Sequence, residues 1–172
     1  MNRAPLLVLA LALSAPVLHA ATISVLAGED PALAAPESTE RVVTGFMDSL
    51  FESGHIATSS RTVVAARSDF APKDRDLAEA REAYVDYLVL VHIEYAPSAL
   101  RPGKPRPTSA AYRVFVVASG LVVFEGRAVQ PEARDETEEG YQAQLASLGK
   151  AIAKACSEAI ARGAASRPGG KP

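Results

Sequence analysis

The chain has 172 residues, of which 48% are hydrophobic and 22% charged, and a formal net charge of −2. That balance suits one globular domain with a core large enough to need no staples. It argues against a general nucleic-acid surface, which needs a clear excess of Lys and Arg, and it gives no reason to expect strong binding to anionic lipid.

Met1, Asn2 and Arg3 form a short basic start, Leu6 to Leu13 an apolar run, and Ser14, Ala15 and Pro16 break the run ahead of Leu18-His19-Ala20. This is the layout of an export signal cut after Ala20. The run is shorter than the roughly 20 residues of a spanning helix, which sets cleavage above the alternative of a retained anchor. Residues 1–20 are read as a signal peptide, 21–164 as a single domain and 165–172 as a disordered tail. The expected location is periplasmic or secreted, with no integral membrane segment after cleavage. No Cys follows the apolar run, so the lipid attachment of a bacterial lipoprotein has no acceptor there. Cys156 is the one cysteine, and an internal disulfide needs two. It is expected to pack as a small apolar residue on a helix.

Ala21 to Ala27 alternates and is apolar enough for a first strand, ended by Gly28-Glu29-Asp30-Pro31. After a loop through Ala32–Pro36, Val42, Val43, Phe46, Met47, Leu50 and Phe51 recur at helical spacing. A helix is expected from about Thr39 to Ser53, with Ser38 or Thr39 as N-cap and Gly54 as the closing residue. His55 to Thr58 reads as a short strand. Thr62 to Ala66 either extends it or begins a second helix. Asp74 or Asp76 caps a helix through Leu77, Ala80 and Ala83, which leads straight into the next strand.

That strand, Val85 to Tyr95, carries the strongest period-two pattern in the chain. Val85, Tyr87, Val89, Val91, Ile93 and Tyr95 share one face; Asp86, Leu88, Leu90, His92 and Glu94 share the other. Ala96 to Pro107 contains four prolines with Arg101, Lys104 and Arg106, and reads as an exposed loop. Two more strands are expected, Ser109–Ala118 and Leu121–Val129, joined at Ser119-Gly120 as a two-residue hairpin turn. In the first, Tyr112, Val114 and Val116 oppose Arg113, Phe115 and Val117. In the second, Val122, Phe124 and Gly126 oppose Val123, Glu125 and Arg127. With Val85–Tyr95 they form an antiparallel meander. Tyr141 to Arg162 is free of proline, and Leu145, Leu148, Ile152, Cys156 and Ile160 line one face of a long C-terminal helix. The fold class is α/β (α+β): one small domain, a mixed or antiparallel sheet with helices mainly on one face.

Residues that could carry chemistry are few. His92 and Glu94 stand two apart on one strand face, close enough to share a metal, but two further ligands would be needed. The plainer account is a pair of polar groups on the more solvated face. His55 reads as a residue at the end of the first helix. Glu132, Asp135, Glu136, Glu138 and Glu139 lack the spacing of a calcium loop and suit the start of a helix. Ser59, Ser60 and Ser157 have no nucleophile elbow around them. The basic, Pro-rich loop is the most distinctive feature outside the core. Arg101, Lys104 and Arg106 are the candidate partner-binding residues, offering a preformed cationic surface to an acidic partner.

The helix ending TGFMDSLFESGHIATSS (Thr44–Ser60), with Leu50, Ser53, Gly54 and Ile56, and the segment EAYVDYLVLVHIEY (Glu82–Tyr95), with Ala80 shortly before it and Val85, Asp86, Tyr87 and Leu88 within it, resemble two segments of a family of bacterial envelope domains. These are related to the TolB N-terminal domain, the curli secretion protein CsgG and the penicillin-binding-protein activator LpoB. The resemblance implies an α/β fold and an adaptor or assembly role without catalytic residues. Here Val85 replaces a usual small residue, and the lipid-bearing cysteine common in such proteins is missing.

The expected function is therefore a non-catalytic periplasmic accessory that binds another envelope protein. No cofactor, metal or nucleic acid is expected. Two alternatives remain. One is a small-ligand or lipid carrier with a cavity between helix and sheet, which Phe46, Phe51, Phe115 and Phe124 would tend to fill. The other is a metal-dependent hydrolase built on His92 and Glu94.

Overall fold

The computed structural model describes residues 20–98, 103–130 and 137–165. The expected signal peptide apart from Ala20, Arg101, the acids Glu132, Asp135 and Glu136, and the expected tail beyond Ala165 lie outside them.

The elements run β1 (Thr22–Glu29), a 3-10 turn (Pro31–Leu33), α1 (Pro36–Glu52), β2 (Ile56–Ser59), β3 (Val63–Val64), a 3-10 turn (Arg67–Asp69), α2 (Asp74–Glu82), β4 (Tyr87–Ala96), β5 (Arg106–Val116), β6 (Leu121–Val129) and α3 (Glu138–Ala165). They build one six-stranded sheet in the order β2-β1-β4-β5-β6, with β3 also paired to β1. The strands β2, β3 and β4 run parallel to β1, while β4, β5 and β6 form the expected antiparallel meander. The sheet is thus mixed.

Chain direction decides which face each helix covers. From β1 the chain steps outward to β2 through α1, then back across β1 to β4 through α2. Right-handed crossovers taken in opposite directions put their helices on opposite faces. The two apolar clusters agree. On one face Ile23, Val25, Val89, Val91, Ile93 and Val114 pack on Val42, Phe46 and Leu50 of α1 and on Leu145, Leu148 and Ile152 of α3. On the other, Leu26, Leu88, Leu90 and Phe115 pack on Ala80 and Leu77 of α2 and on Phe70. The second layer is thin, because α2 has nine residues.

α1 and α3 lie against each other with almost no side chain between them. A Cβ on Gly149 would stand 2.1 Å from the Val42 carbonyl oxygen, and one on Gly45 would stand 2.6 Å from that of Ala146. Cys156 is fully buried on α3, and burial pushes its thiol up to about 12.

Several expectations need correction. α1 begins at Pro36, not Thr39, since proline's fixed φ suits the first helical position. Ser38 and Thr39 sit inside the helix, and neither caps it. Phe51 is 76% exposed: it follows Leu50 by one residue, about 100° around the helix, and misses the sheet. Val85 joins the Leu88 and Leu90 cluster, because the strand starts only at Tyr87, after Tyr84 with φ of 55°. β5 reaches back to Arg106, so Arg106 and Pro107 belong to a strand and not to the loop. Pro107 pairs with Tyr95 beside a register shift at Glu94/Tyr95, where its missing N–H is tolerated. The hairpin turn spans Val117 to Gly120, with the Gly120 N–H donating to the Val116 carbonyl, and is longer than two residues. A second register shift at Val114/Phe115 sets Val122 opposite Phe115, off the Phe124 face. Gly54, at φ 82°, closes α1 as expected.

Gly149→Ala should cost about 1–3 kcal/mol by forcing the helices apart. Gly163→Ala meets nothing within 4 Å and should be neutral or slightly stabilising. Urea unfolding of both variants checks this; equal stabilities would contradict the close helix contact.

Candidate functional site

In open α/β sheets, ligands favour the carboxyl ends of strands where the strand order reverses. Here that point lies between β1 and β4, and the chain fills it itself. Glu29 is fully buried there. Its Oε2 accepts the Ala35 N–H at 2.9 Å and the Thr39 hydroxyl at 2.7 Å. Ala35 is the N-cap of α1 and has no capping side chain, so the Glu29 carboxylate supplies the negative charge that the helix start favours. The Tyr95 hydroxyl lies 2.9 Å from Thr39 Oγ1. Burial raises the Tyr95 phenol above its ordinary value, and the nearby Glu29 charge adds to that. Ser38 and Tyr141 hydroxyls meet at 2.8 Å, and Tyr141 also donates to the Pro105 carbonyl at 2.8 Å. This polar network joins β1, α1, β4 and α3.

The open surface lies on the other face of the sheet, over β4, β5 and β6. A groove of about 760 Å³ is lined by Arg67, Ser68, Phe70, Leu90, His92, Ala111, Tyr112, Arg113, Glu125, Gly126 and Arg127. Cross-strand register explains its shape. Leu90 pairs with Arg113, which pairs with Glu125; His92 pairs with Ala111, which pairs with Arg127; Glu94 pairs with Ser109. The small Ala111 sits at the centre of these rows, with longer side chains around it. Phe70 walls the groove; its ring lies where a Cβ on Gly28 would be, 2.6 Å away. A glycine at that place in β1 is what lets Phe70 lie flat on the sheet.

His92 and Glu94, the pair weighed for metal binding, have other commitments. His92 is buried, and its Nε2 lies 2.9 Å from the Ala65 carbonyl oxygen. A carbonyl only accepts, so Nε2 is the donor in this contact. Nδ1 is buried without a hydrogen-bond partner among the described residues. Glu94 accepts from Ser109 at 2.6 Å, from Arg67 at 3.1 Å and from Arg127. The Ser109 hydrogen bond is the largest cause holding its carboxyl below the ordinary value, and Arg127 and Arg67 add to it against the opposing effect of burial. A carboxylate held ionised this way is a poor proton carrier. The expected solvated face is in fact part core and part ion-pair cluster. Among the described residues no three His, Cys, Asp or Glu gather where a metal could sit.

His55 is buried behind the end of α1, and its Nδ1 accepts the Ala21 N–H at 3.3 Å. Burial lowers its pKa below the ordinary 6.5. Of the cationic residues assigned to partner binding, Lys104 pairs with Glu138 at 2.7 Å at the start of α3. Arg106 opens β5 opposite Ala96. Arg106 stands two residues before Thr108, whose carbonyl accepts the Gln130 N–H just past the end of β6. Arg113 and Arg127 were visible in the sequence only as polar positions of alternating strands. What joins them to Arg67 is strand register and the placement of a turn, and local pattern carries neither.

β6 ends the sheet order, and its exposed apolar residues are Leu121 (66%), Val122, Val123 and Val129 (72%). The opposite end, β2, is four residues long.

The sequence matches no protein-family model and no curated protein. Solved structures do match. The PelC dodecamer from Paraburkholderia phytofirmans is 17% identical, with 81% of this chain and 87% of that chain covered and a TM-score of 0.51. Lipoprotein GNA1162 from Neisseria meningitidis is 18% identical over 80% of this chain and 99% of that one, at a TM-score of 0.49. TolB from Acinetobacter baumannii is 14% identical over 82% of this chain and 28% of that one, at 0.42. TolB is one of the proteins that the sequence resembles. At these identities the PelC likeness defines a fold and nothing finer. No helix among the described residues is long and apolar enough to cross a membrane.

His55 and Glu94 both have pKa values depressed by folding, so each stabilises the fold above its ordinary value and loses that contribution as pH falls through the lowered one. The urea midpoint should first decline below pH 6.5, from His55, and again below 4.5, from Glu94. His55→Gln, which keeps an acceptor but does not titrate, should remove the upper decline. A midpoint unchanged across the upper window in the native sequence would contradict this.

Proposed function

We propose that the protein is a non-catalytic accessory of the bacterial cell envelope, exported to the periplasm, that docks an extended segment of another envelope protein along β6. The observation that carries this reading is β6 itself: nine residues long, last in the sheet order, with four exposed large apolar side chains. An edge of this kind invites strand addition unless charge, proline or covering structure blocks it. Backbone hydrogen bonds would supply affinity, and Leu121, Val123 and Val129 the side-chain contacts. Arg101, Lys104 and Arg106 would meet acidic residues flanking the added strand, since the basic segment leads into β5, whose Thr108 pairs with Gln130 just past β6. The export-signal pattern and the family-like layout of the sequence support an envelope location. The commitments of His92 and Glu94 support a role without catalysis.

PelC is described as a dodecamer, which makes a second copy of this chain the competing occupant of the edge. In-cell crosslinking followed by affinity capture separates the two. One envelope protein should be enriched with the native chain. Its recovery should fall about tenfold or more with Val123→Lys/Val129→Lys, as expected if the edge contributes upwards of 1.4 kcal/mol. A smaller drop is expected from Arg101→Glu/Lys104→Glu/Arg106→Glu. Capture of the protein's own chain alone would replace the reading with self-assembly, and capture of nothing specific would refute it.

A further inference from the structure

The groove over β4, β5 and β6 is separate from the β6 edge and has chemistry of its own. Three guanidiniums reach it from three elements: Arg67 from the turn before α2, Arg113 from β5 and Arg127 from β6. Two carboxylates accompany them. Glu94 is shared by Arg67 and Arg127, and Glu125 lies across from Arg113, which leaves an excess of one positive charge. The Arg67 and Arg127 side chains are 54% and 51% exposed, so both reach solvent beyond their contacts with Glu94. Each guanidinium has five N–H donors in a planar fork. Arg113 donates one to the Phe70 carbonyl and has its charge over the Phe115 ring at 5.9 Å, which fixes its position. Fixed, partly desolvated guanidiniums around a hollow are suited to bidentate capture of an oxyanion.

The hollow exists because Ala111, between His92 and Arg127 in register, has only a methyl group to fill it. Its volume of about 760 Å³ falls in the range of small-molecule sites. The apolar groups in its wall are already covered: Phe70 is 4% and Leu90 1% exposed. What remains open to a ligand is mostly polar: the guanidiniums, the Glu125 carboxylate and Ser68, with a smaller apolar share. That mixture suits a hydroxylated body better than a fatty acid chain.

We propose that this groove binds a sugar-sized, hydroxylated organic oxyanion, a sugar acid or sugar phosphate, with the anionic group held between Arg113 and Arg127 above Ala111. The carboxylate and phosphate forms share this chemistry, and separate arms of one experiment distinguish them. The 15N-labelled protein is titrated with glucuronate, with glucose 6-phosphate and with glucose, with amide shifts followed. At least one of the charged sugars should shift amides of Ser68, Phe70, Ala111, Arg113 and Arg127, and glucose should not; the stronger arm identifies the anion. Ala111→Leu fills the hollow without changing charge and should abolish the shifts. Arg113→Gln should weaken the affinity about tenfold. The spectra themselves report whether each variant is folded. No localised shift with either anion, equal shifts with glucose, shifts spread evenly over exposed basic residues, or undiminished binding by a folded Ala111→Leu protein would each overturn the proposal.

Discussion

Gly149 of α3 rests on the backbone of α1 at Val42 and Phe46, at a distance no Cβ could share. This contact sets the layout of the domain. With no side chains wedged between them, α1 (17 residues) and α3 (28 residues) both lie on the same face of one small sheet. Burying a large apolar side chain is worth about 1.5–3 kcal/mol, and Phe46, Leu50, Leu145, Leu148 and Ile152 all gain it from this shared face. The other face is left to nine-residue α2 and the Phe70 turn, which cover the β1–β4 side of the sheet. Arg113, Glu125 and Arg127 project on that thinly covered face, and the groove is the result.

The place where a fold of this kind would ordinarily take an anion is closed by Glu29. Its carboxylate sits at the start of α1, bonded to Ala35 and Thr39, and does for the helix what a bound anion does in other α/β proteins. The surfaces that the topology leaves open are the groove and the β6 edge. Both belong to the antiparallel half of the sheet. The buried core is centred on β1, β4 and β5.

Much of the fold was legible in the sequence. The period-two pattern of Tyr87–Tyr95 and the helical spacing of Val42 to Leu50 and of Leu145 to Ile160 each name a face, and packing follows faces. The meander was legible because Ser119-Gly120 interrupts two apolar runs. Features that depend on what arrives from elsewhere in the chain were not. Glu29 reads as the end of a strand, yet its partners Ala35 and Thr39 turn it into a buried cap. Pro107 reads as a loop breaker, yet the register shift beside Tyr95 gives it a place in β5. Gly45 and Gly149 gain their meaning only where the two helices touch. The site was less legible than the fold for the same reason. Ala111, Arg113 and Arg127 meet through register and Arg67 through the placement of a turn, whereas His92 and Glu94, close in sequence, are committed to Ala65 and to Ser109, Arg67 and Arg127.

Docking along β6 requires that β6 be an open edge, able to accept a strand. Hydrogen exchange of the isolated protein, resolved by residue, tests it most directly. The β6 amides that do not bond to β5 should exchange close to the rate of an unstructured chain, while those of β1 and β4 open only with global unfolding. Protection along all of β6 equal to that of β4 would mean that the edge is already covered, and would contradict the account.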